Sequence, residues 1–165
     1  SLHDALPICA EKTKGIVEGW VKNLAKDVYP DDTQLLEAID AGVCEIGIAN
    51  TYYYGRLLEK KPNLNVGLFW PNQASKGVHV NVSGAGIVKH SKNEKLALAF
   101  LEWLTTPGAQ GMFANLNFEY PANASVPADK IVTSWGTFKP NLINVSKAGE
   151  LQESAIRLMD QVGYK

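Results

Sequence analysis

Apolar positions along the chain alternate between helical stripes and short continuous runs. In residues 11–27, Ile16, Val17, Trp20, Val21 and Leu24 fall at i, i+1, i+4, i+5 and i+8, the stripe of an amphipathic helix, with Lys12, Lys14, Lys22 and Lys26 off it. Tyr29-Pro30-Asp31-Asp32 breaks the pattern. Asp31, with Gln34 three residues on, has the form of a capping box that opens a second helix. Leu35, Leu36 and Ile39 form its buried face, and Gly42 fits its C′ stop. The short apolar run from Val43 to Ala49 then reads as a buried strand. Asn50-Thr51 offers N-cap chemistry to a third helix through Arg56-Leu57-Leu58-Glu59, closed by Pro62-Asn63.

The second half continues the alternation. Asn65 to Trp70 reads as a strand, Pro71 to Gly77 as a loop, and Val78-His79-Val80-Asn81-Val82-Ser83 as a half-exposed strand of alternating polarity. Gly84, Ala85 and Gly86 follow, a run of small residues suited to a crossing between lobes or to an ordinary bulge. Asn93 caps an apolar helix from Glu94 to Leu104, with Leu96, Phe100, Trp103 and Leu104 expected on its most buried side. Thr106-Pro107 pairs an N-cap with proline at N1, starting a helix to about Ala114. Phe118-Glu119-Tyr120 is strand-like, Pro121 to Asp129 is loop, and Trp135-Gly136 sits in an irregular stretch. Ala148, Leu151, Ala155, Leu158 and Val162 mark a final helix that ends at Gly163. Helices alternating with short strands place the chain in the α/β class.

Composition narrows the possible functions mainly by exclusion. The 165 residues suit one ordinary domain, and 45% apolar with 20% charged residues is a globular balance. A net charge of −1 without any basic cluster argues against a nucleic-acid partner. No apolar run approaches the roughly 18 residues that a membrane-spanning helix needs. Ser1-Leu2-His3-Asp4-Ala5-Leu6-Pro7-Ile8 looks like a translated sequencing adapter, with Cys9 partly its product. The protein proper is therefore expected to start near Ala10, with an upstream part not included, so the lack of a signal peptide carries no information. Cys44 stands alone in the first strand and reads as a small hydrophobe. The cysteines form neither a disulfide framework nor a zinc pattern.

The chemistry concentrates at Tyr52-Tyr53-Tyr54, where a strand ends and a helix begins, the edge at which open α/β sheets bind ligands. Aromatic packing at the corner is one reading. The other is metal binding, since a phenolate is a hard anionic oxygen suited to a hard trivalent ion such as Fe³⁺. A free phenol titrates near pH 10, so ionising one at neutral pH costs about 4 kcal/mol. A helix N-terminus offsets about 0.3–1 kcal/mol of that, and about 2 when partly buried. The metal must therefore drive the deprotonation, and binding weakens as pH falls. Local spacing does not choose between the pairs 52/53 and 53/54. His79 and His90 are candidate ligands or ordinary surface or satisfied histidines. Ser83-Gly84-Ala85-Gly86 lacks the third glycine and following helix of a dinucleotide fingerprint. No nucleophile–base arrangement appears at motif spacing, so nothing in the residues argues for an enzyme.

At Ala49-Asn50-Thr51-Tyr52-Tyr53 and Arg56-Leu57 the chain closely resembles the periplasmic ferric-iron-binding proteins of bacterial iron ABC importers. The resemblance continues through Val78 to Gly86, Asn117 to Pro121 and Ser134 to Lys139, and covers residues 10–165 in order. It implies a two-lobed, type II periplasmic-binding-protein-like fold, of which this chain is the C-terminal half only. Residues 10–82 would belong to the second lobe, 83–133 would return to the first, and 134–165 would pack back on the second. The resemblance further implies that Tyr52 and Tyr53 bind Fe³⁺, with Tyr54 a neighbour. Asn50, Thr51 and Arg56 would lie beside them, toward an anion or behind the ligands, and Arg56 reads equally as an exposed helix residue. Members that use a phosphate-like synergistic anion have an asparagine matching Asn50 and a second one where this chain has Asp32. A carboxylate repels phosphate and cannot donate to it, so carbonate or no anion is expected. The remaining iron ligands would lie upstream, so this chain alone should bind iron weakly. The implied protein is a periplasmic monomer that delivers iron to an inner-membrane permease. The alternatives are a solute-binding protein of the same fold for thiosulfate, a sugar or a phosphonate, and a metal-independent enzyme using a tyrosine.

Overall fold

The structure, a computed structural model, describes residues 10–164; the expectations for Ser1 to Cys9 lie outside the described residues. The described helices are α1 (Ala10–Lys22), α2 (Asp32–Asp40), α3 (Thr51–Lys60), α4 (Glu94–Leu104), α5 (Pro107–Asn117), α6 (Lys130–Ser134) and α7 (Val145–Val162). They belong to two compact units. One comprises residues 10–30, Phe69–Val82 and 138–164, and the other Asp31–Leu68 with Ser83–Thr137.

In the first unit α1 packs on α7. Thr13 and Val17, one turn apart, are buried from α1, and Ala155 and Leu158 from α7. The expected stripe therefore turns: Val17 is inside, while Ile16 and Leu24 stay exposed, and α1 ends at Lys22 rather than continuing to residue 27. Asn144 caps α7 by accepting from the Ser146 N–H, and Gly163 closes it at φ +75°. Val78 pairs with Pro140 in an isolated parallel bridge, in which the Val78 N–H donates to the Lys139 carbonyl at 2.9 Å and Asn141 N–H to the Val78 carbonyl at 2.7 Å. Gly77 makes this close approach possible. Its φ is +88°, and a Cβ there would lie 2.4 Å from the Lys139 carbonyl oxygen. Gly77→Ala is expected to cost about 1–2 kcal/mol for the left-handed backbone and about 1–3 kcal/mol for overpacking. Thermal unfolding followed by circular dichroism would read this as a clear drop in midpoint.

The second unit carries the tyrosines. Asp31 caps α2 by accepting from the Gln34 N–H at 3.0 Å, but the Gln34 side chain donates to the Asp31 carboxylate rather than accepting from its backbone, so the expected box is only half formed. At the other end Gly42, at φ +73°, forms a full Schellman stop: Val43 N–H donates to Ala38 and Gly42 N–H to Ile39. α2 packs on α3, and Leu36, Leu57 and Leu64 form a buried cluster against which Ala49, Tyr53, Tyr54, Leu58 and Val66 pack. Asp40, the last residue of α2, pairs with Lys61 and accepts from the Asn65 N–H at 2.7 Å, pinning the chain just after α3. The Lys61 hydrogen bond leads in holding the Asp40 carboxyl below its usual range, so this tie is present at neutral pH and lost as pH falls through the lowered value. α5 and α6 complete the packing around α3.

Several expected elements take other forms. Among the described residues Val43–Ala49, Asn65–Trp70 and Val78–Ser83 form no strand ladder, Val78 making only its isolated bridge, and Ile46 and Ile48 are 86% and 71% exposed. A continuous apolar run signals burial, yet a strand also needs at least one paired neighbour, and the described residues supply none to Val43–Ala49. α4 buries none of its residues. Leu96, Phe100 and Trp103, expected inside, are exposed, because α4 packs on α5 alone among the described helices. Phe118 is not part of a strand but the left-handed cap of α5, at φ +57°, which runs to Asn117 rather than Ala114. The short α6 falls in a stretch read as loop and irregular chain, and is opened by Asp129 accepting from the Ile131 N–H at 2.8 Å.

Candidate metal centre

Tyr52, Tyr53 and Tyr54 occupy the first turn of α3, all half-buried. Successive helix residues point about 100° apart, so the three phenols face different surroundings. The Tyr52 and Tyr53 rings lie 4.4 Å apart between centroids, tilted by 37°. A hydrogen bond with the Tyr53 hydroxyl, followed by burial and the nearby Tyr53 and Asp32 charges, pushes the Tyr52 phenol above its ordinary value of 10.0, while Arg56 acts in the opposite sense. Tyr54 turns elsewhere. Its hydroxyl donates to the Val66 carbonyl at 2.8 Å, its ring sits 5.7 Å from that of Trp135, and burial raises its pKa.

Arg56 follows Tyr52 by four residues and Tyr53 by three, the spacings that bring helix side chains together. Its guanidinium lies 5.3 Å from the Tyr52 ring centroid and 5.8 Å from that of Tyr53, a cation over both faces. Though exposed, it is not free, since it also donates to the Asn117 side-chain carbonyl at 3.3 Å. Thr51 is the first residue of α3.

Asn50 is the N-cap residue by position, but its side chain makes no capping hydrogen bond. Its backbone N–H and its side-chain amide instead donate to the same Asp32 carboxylate oxygen, at 2.8 and 3.0 Å. The charged carboxylate holds the Asn50 amide toward α2, and the side-chain oxygen accepts no capping bond from the first turn of α3. The expectation of Asn50 as a side-chain cap is corrected accordingly. Two partners were not foreseen from the sequence, the Asp32–Asn50 tie and the Arg56–Asn117 contact. They link residues 18 and 61 positions apart, and no local pattern signals such pairs.

The donors present fit a hard trivalent cation, being adjacent phenol oxygens with a cation behind the rings. They fit only part of one, because two oxygens do not fill an octahedral shell. Among the described residues no group of three or more His, Cys, Asp or Glu could hold a metal, so His79 and His90 form no such cluster.

The phenols at the start of α3, the Arg56 guanidinium over their rings and the Asp32–Asn50 tie make up the candidate site. The chain belongs to the family of bacterial extracellular solute-binding proteins, whose sequence profile matches residues 10–140. It is 40% identical over 161 residues to iron uptake protein A1 of Synechocystis sp., covering 94% of this chain and 45% of that protein. It is 24% identical over 168 residues to the major ferric iron-binding protein of Neisseria meningitidis serogroup B, covering 99% of this chain and 50% of that protein. Among solved structures it matches the Trichodesmium protein IdiA (FutA), in complex with iron and citrate, at TM-score 0.93 and 40% identity over 99% of this chain and 54% of that one. Apo ferric ion-binding protein A of Pasteurella haemolytica matches at TM-score 0.92 and 34% identity over 99% of this chain and 53% of that one. The fold is thus the expected periplasmic-binding-protein type, that of two-lobed ferric-binding proteins. The chain spans about half the length of the curated relatives it matches.

Proposed function

We propose that this chain supplies part of a ferric-ion site in the solute-binding component of an ABC importer. Tyr52 and Tyr53 would act as phenolate ligands. The observation that carries the reading is the pair of phenols at the start of α3, with ring centroids 4.4 Å apart and Arg56 over both rings. The engagement of Tyr54 with Val66 supports 52/53 over 53/54 as the pair. Arg56 would offset the negative charge of the phenolates themselves, and Asn50 and Thr51 immediately precede them in the chain.

In this reading the protein binds without catalysis, works in the periplasm as a monomer, and hands iron to an inner-membrane permease. Release follows lobe opening, which separates ligands contributed by different parts of the protein. Carbonate remains the proposed anion if one is needed. The proposed lobe segments are 10–82, 83–133 and 134–165. The division at Val82 and Ser83 coincides with a unit boundary, whereas residues 31–68 cluster with 83–137 rather than with 69–82.

The test is a ferric citrate titration of the chain followed in the visible range. Because the chain alone should bind weakly, a phenolate-to-iron charge-transfer band is expected to grow in only at excess ferric citrate, and its absence even in large excess would sink the proposal. The sign of the pH effect follows from the protons. Phenolate ligation releases protons from phenols, which ordinarily titrate near pH 10, so the apparent affinity falls as pH is lowered. A band that grew stronger toward acid pH would contradict phenolate ligation.

A further inference from the structure

Asp32 is the first residue of α2, and Asn50 is the N-cap of α3, the helix that begins with the tyrosines. One carboxylate oxygen of Asp32 takes both the main-chain N–H and the side-chain amide of Asn50. Two donors on one acceptor fix both the position and the rotation of Asn50. Because Tyr52 lies two residues further on, the orientation of the first turn of α3 is tied to α2 through this contact. At its far end α3 is held again, by Asp40 of α2 through Lys61 and Asn65. The two ties differ in consequence, since only the Asp32 tie acts at the end that carries the phenols. The lower face of the same turn rests on Leu36, Leu57 and Leu64 through Tyr53, which leaves the N-cap as the point from which Tyr52 is aimed.

We infer that Asp32 is a positioning residue of the iron site, which acts through Asn50 to hold the two phenol oxygens at the separation one ferric ion requires. The inference rests on the ferric reading given above. The hydrogen bonds of Asp32 go to Asn50, and its role does not require it to touch the ion. A carboxyl group one shell removed from the ligands commonly changes metal affinity by about 10- to 100-fold when it is lost.

The test compares the wild-type chain with Asp32→Ala, Asp32→Asn and Asp129→Ala, each titrated with ferric citrate. Asp129→Ala serves as the control, since it removes the cap of the short α6 in the same unit without touching Asn50. Asp32→Ala is expected to weaken ferric binding about 10- to 100-fold and to shift the maximum of the charge-transfer band. Asp32→Asn keeps an oxygen that can accept from Asn50, and should restore most of the affinity and the band position. Asp129→Ala should lower the unfolding temperature while leaving the band where it is. In the iron-free protein, hydrogen exchange at the Asn50 side-chain amide should be slow in the wild type and fast in Asp32→Ala. A wild-type band that Asp32→Ala neither shifts nor weakens would overturn this inference alone. No band in the wild-type chain would overturn the ferric reading and this inference together.

Discussion

Changing Tyr52 and Tyr53 together to phenylalanine is expected to abolish the ferric charge-transfer band and the iron binding that accompanies it. The argument is energetic. Each phenol costs about 4 kcal/mol to ionise near neutral pH, and the environment of Tyr52 raises that cost rather than lowering it. The start of α3 returns at most about 2 kcal/mol. Under the proposed function the phenolates would form only when the metal binds them, and a phenyl ring offers the metal nothing. The stacked pair and the packing of Tyr53 against Leu36, Leu57 and Leu64 survive in phenylalanine, so the unfolding midpoint should scarcely move. That separation of binding from stability is what identifies a ligand pair. Tyr54→Phe supplies the opposite pattern. It removes the hydrogen bond to Val66, costs about 0.5–1.5 kcal/mol and leaves the band in place. If Tyr54→Phe abolished the band and Tyr52→Phe did not, the assignment of the pair would be wrong.

The largest stability effect is expected at Phe118. Its side chain is 3% exposed although its backbone is left-handed, an arrangement that costs about 1–2 kcal/mol for a residue with a Cβ. Burial of the ring outweighs that cost. The ring rests on Gly55 of α3, where a Cβ would stand 2.6 Å from the Phe118 Cβ and 2.8 Å from its Cγ. Gly55 is thus the seat, and Phe118 braces the helix that carries the tyrosines. Phe118→Ala removes the ring but keeps the strained backbone, so a loss of about 3–5 kcal/mol is expected. Small domains have about 5–15 kcal/mol in total, and urea unfolding should show the variant close to its midpoint in dilute buffer. Ferric binding should weaken with it, because α3 loses its support. A Phe118→Ala midpoint equal to that of the wild type would show that the ring does not brace α3.

Much of the helical framework was legible in the sequence because its signals are local. Asp31, Gly42, Thr106, Pro107 and Gly163 mark helix ends where the structure has them. The tyrosine cluster at the start of α3 was equally visible, since it depends only on chain order. The three apolar runs that read as strands were misjudged for a physical reason. A strand is defined by its neighbours, and a run such as Val43–Ala49 cannot announce whether a partner is present. Periodicity likewise put Leu96, Phe100 and Trp103 inside, whereas burial depends on what packs against α4.

By itself, then, the sequence marked most of the helix starts and stops, and it placed three phenols side by side at the start of α3. Which phenols face each other was decided by tertiary structure. Tyr54 is drawn to Val66, Arg56 is set over Tyr52 and Tyr53 and held by Asn117, and Asn50 is turned from its helix by Asp32. These are contacts between residues 12, 61 and 18 positions apart. Such pairings are fixed by how helices pack, because hydrogen bonds act over about 3 Å in space whatever the separation along the chain.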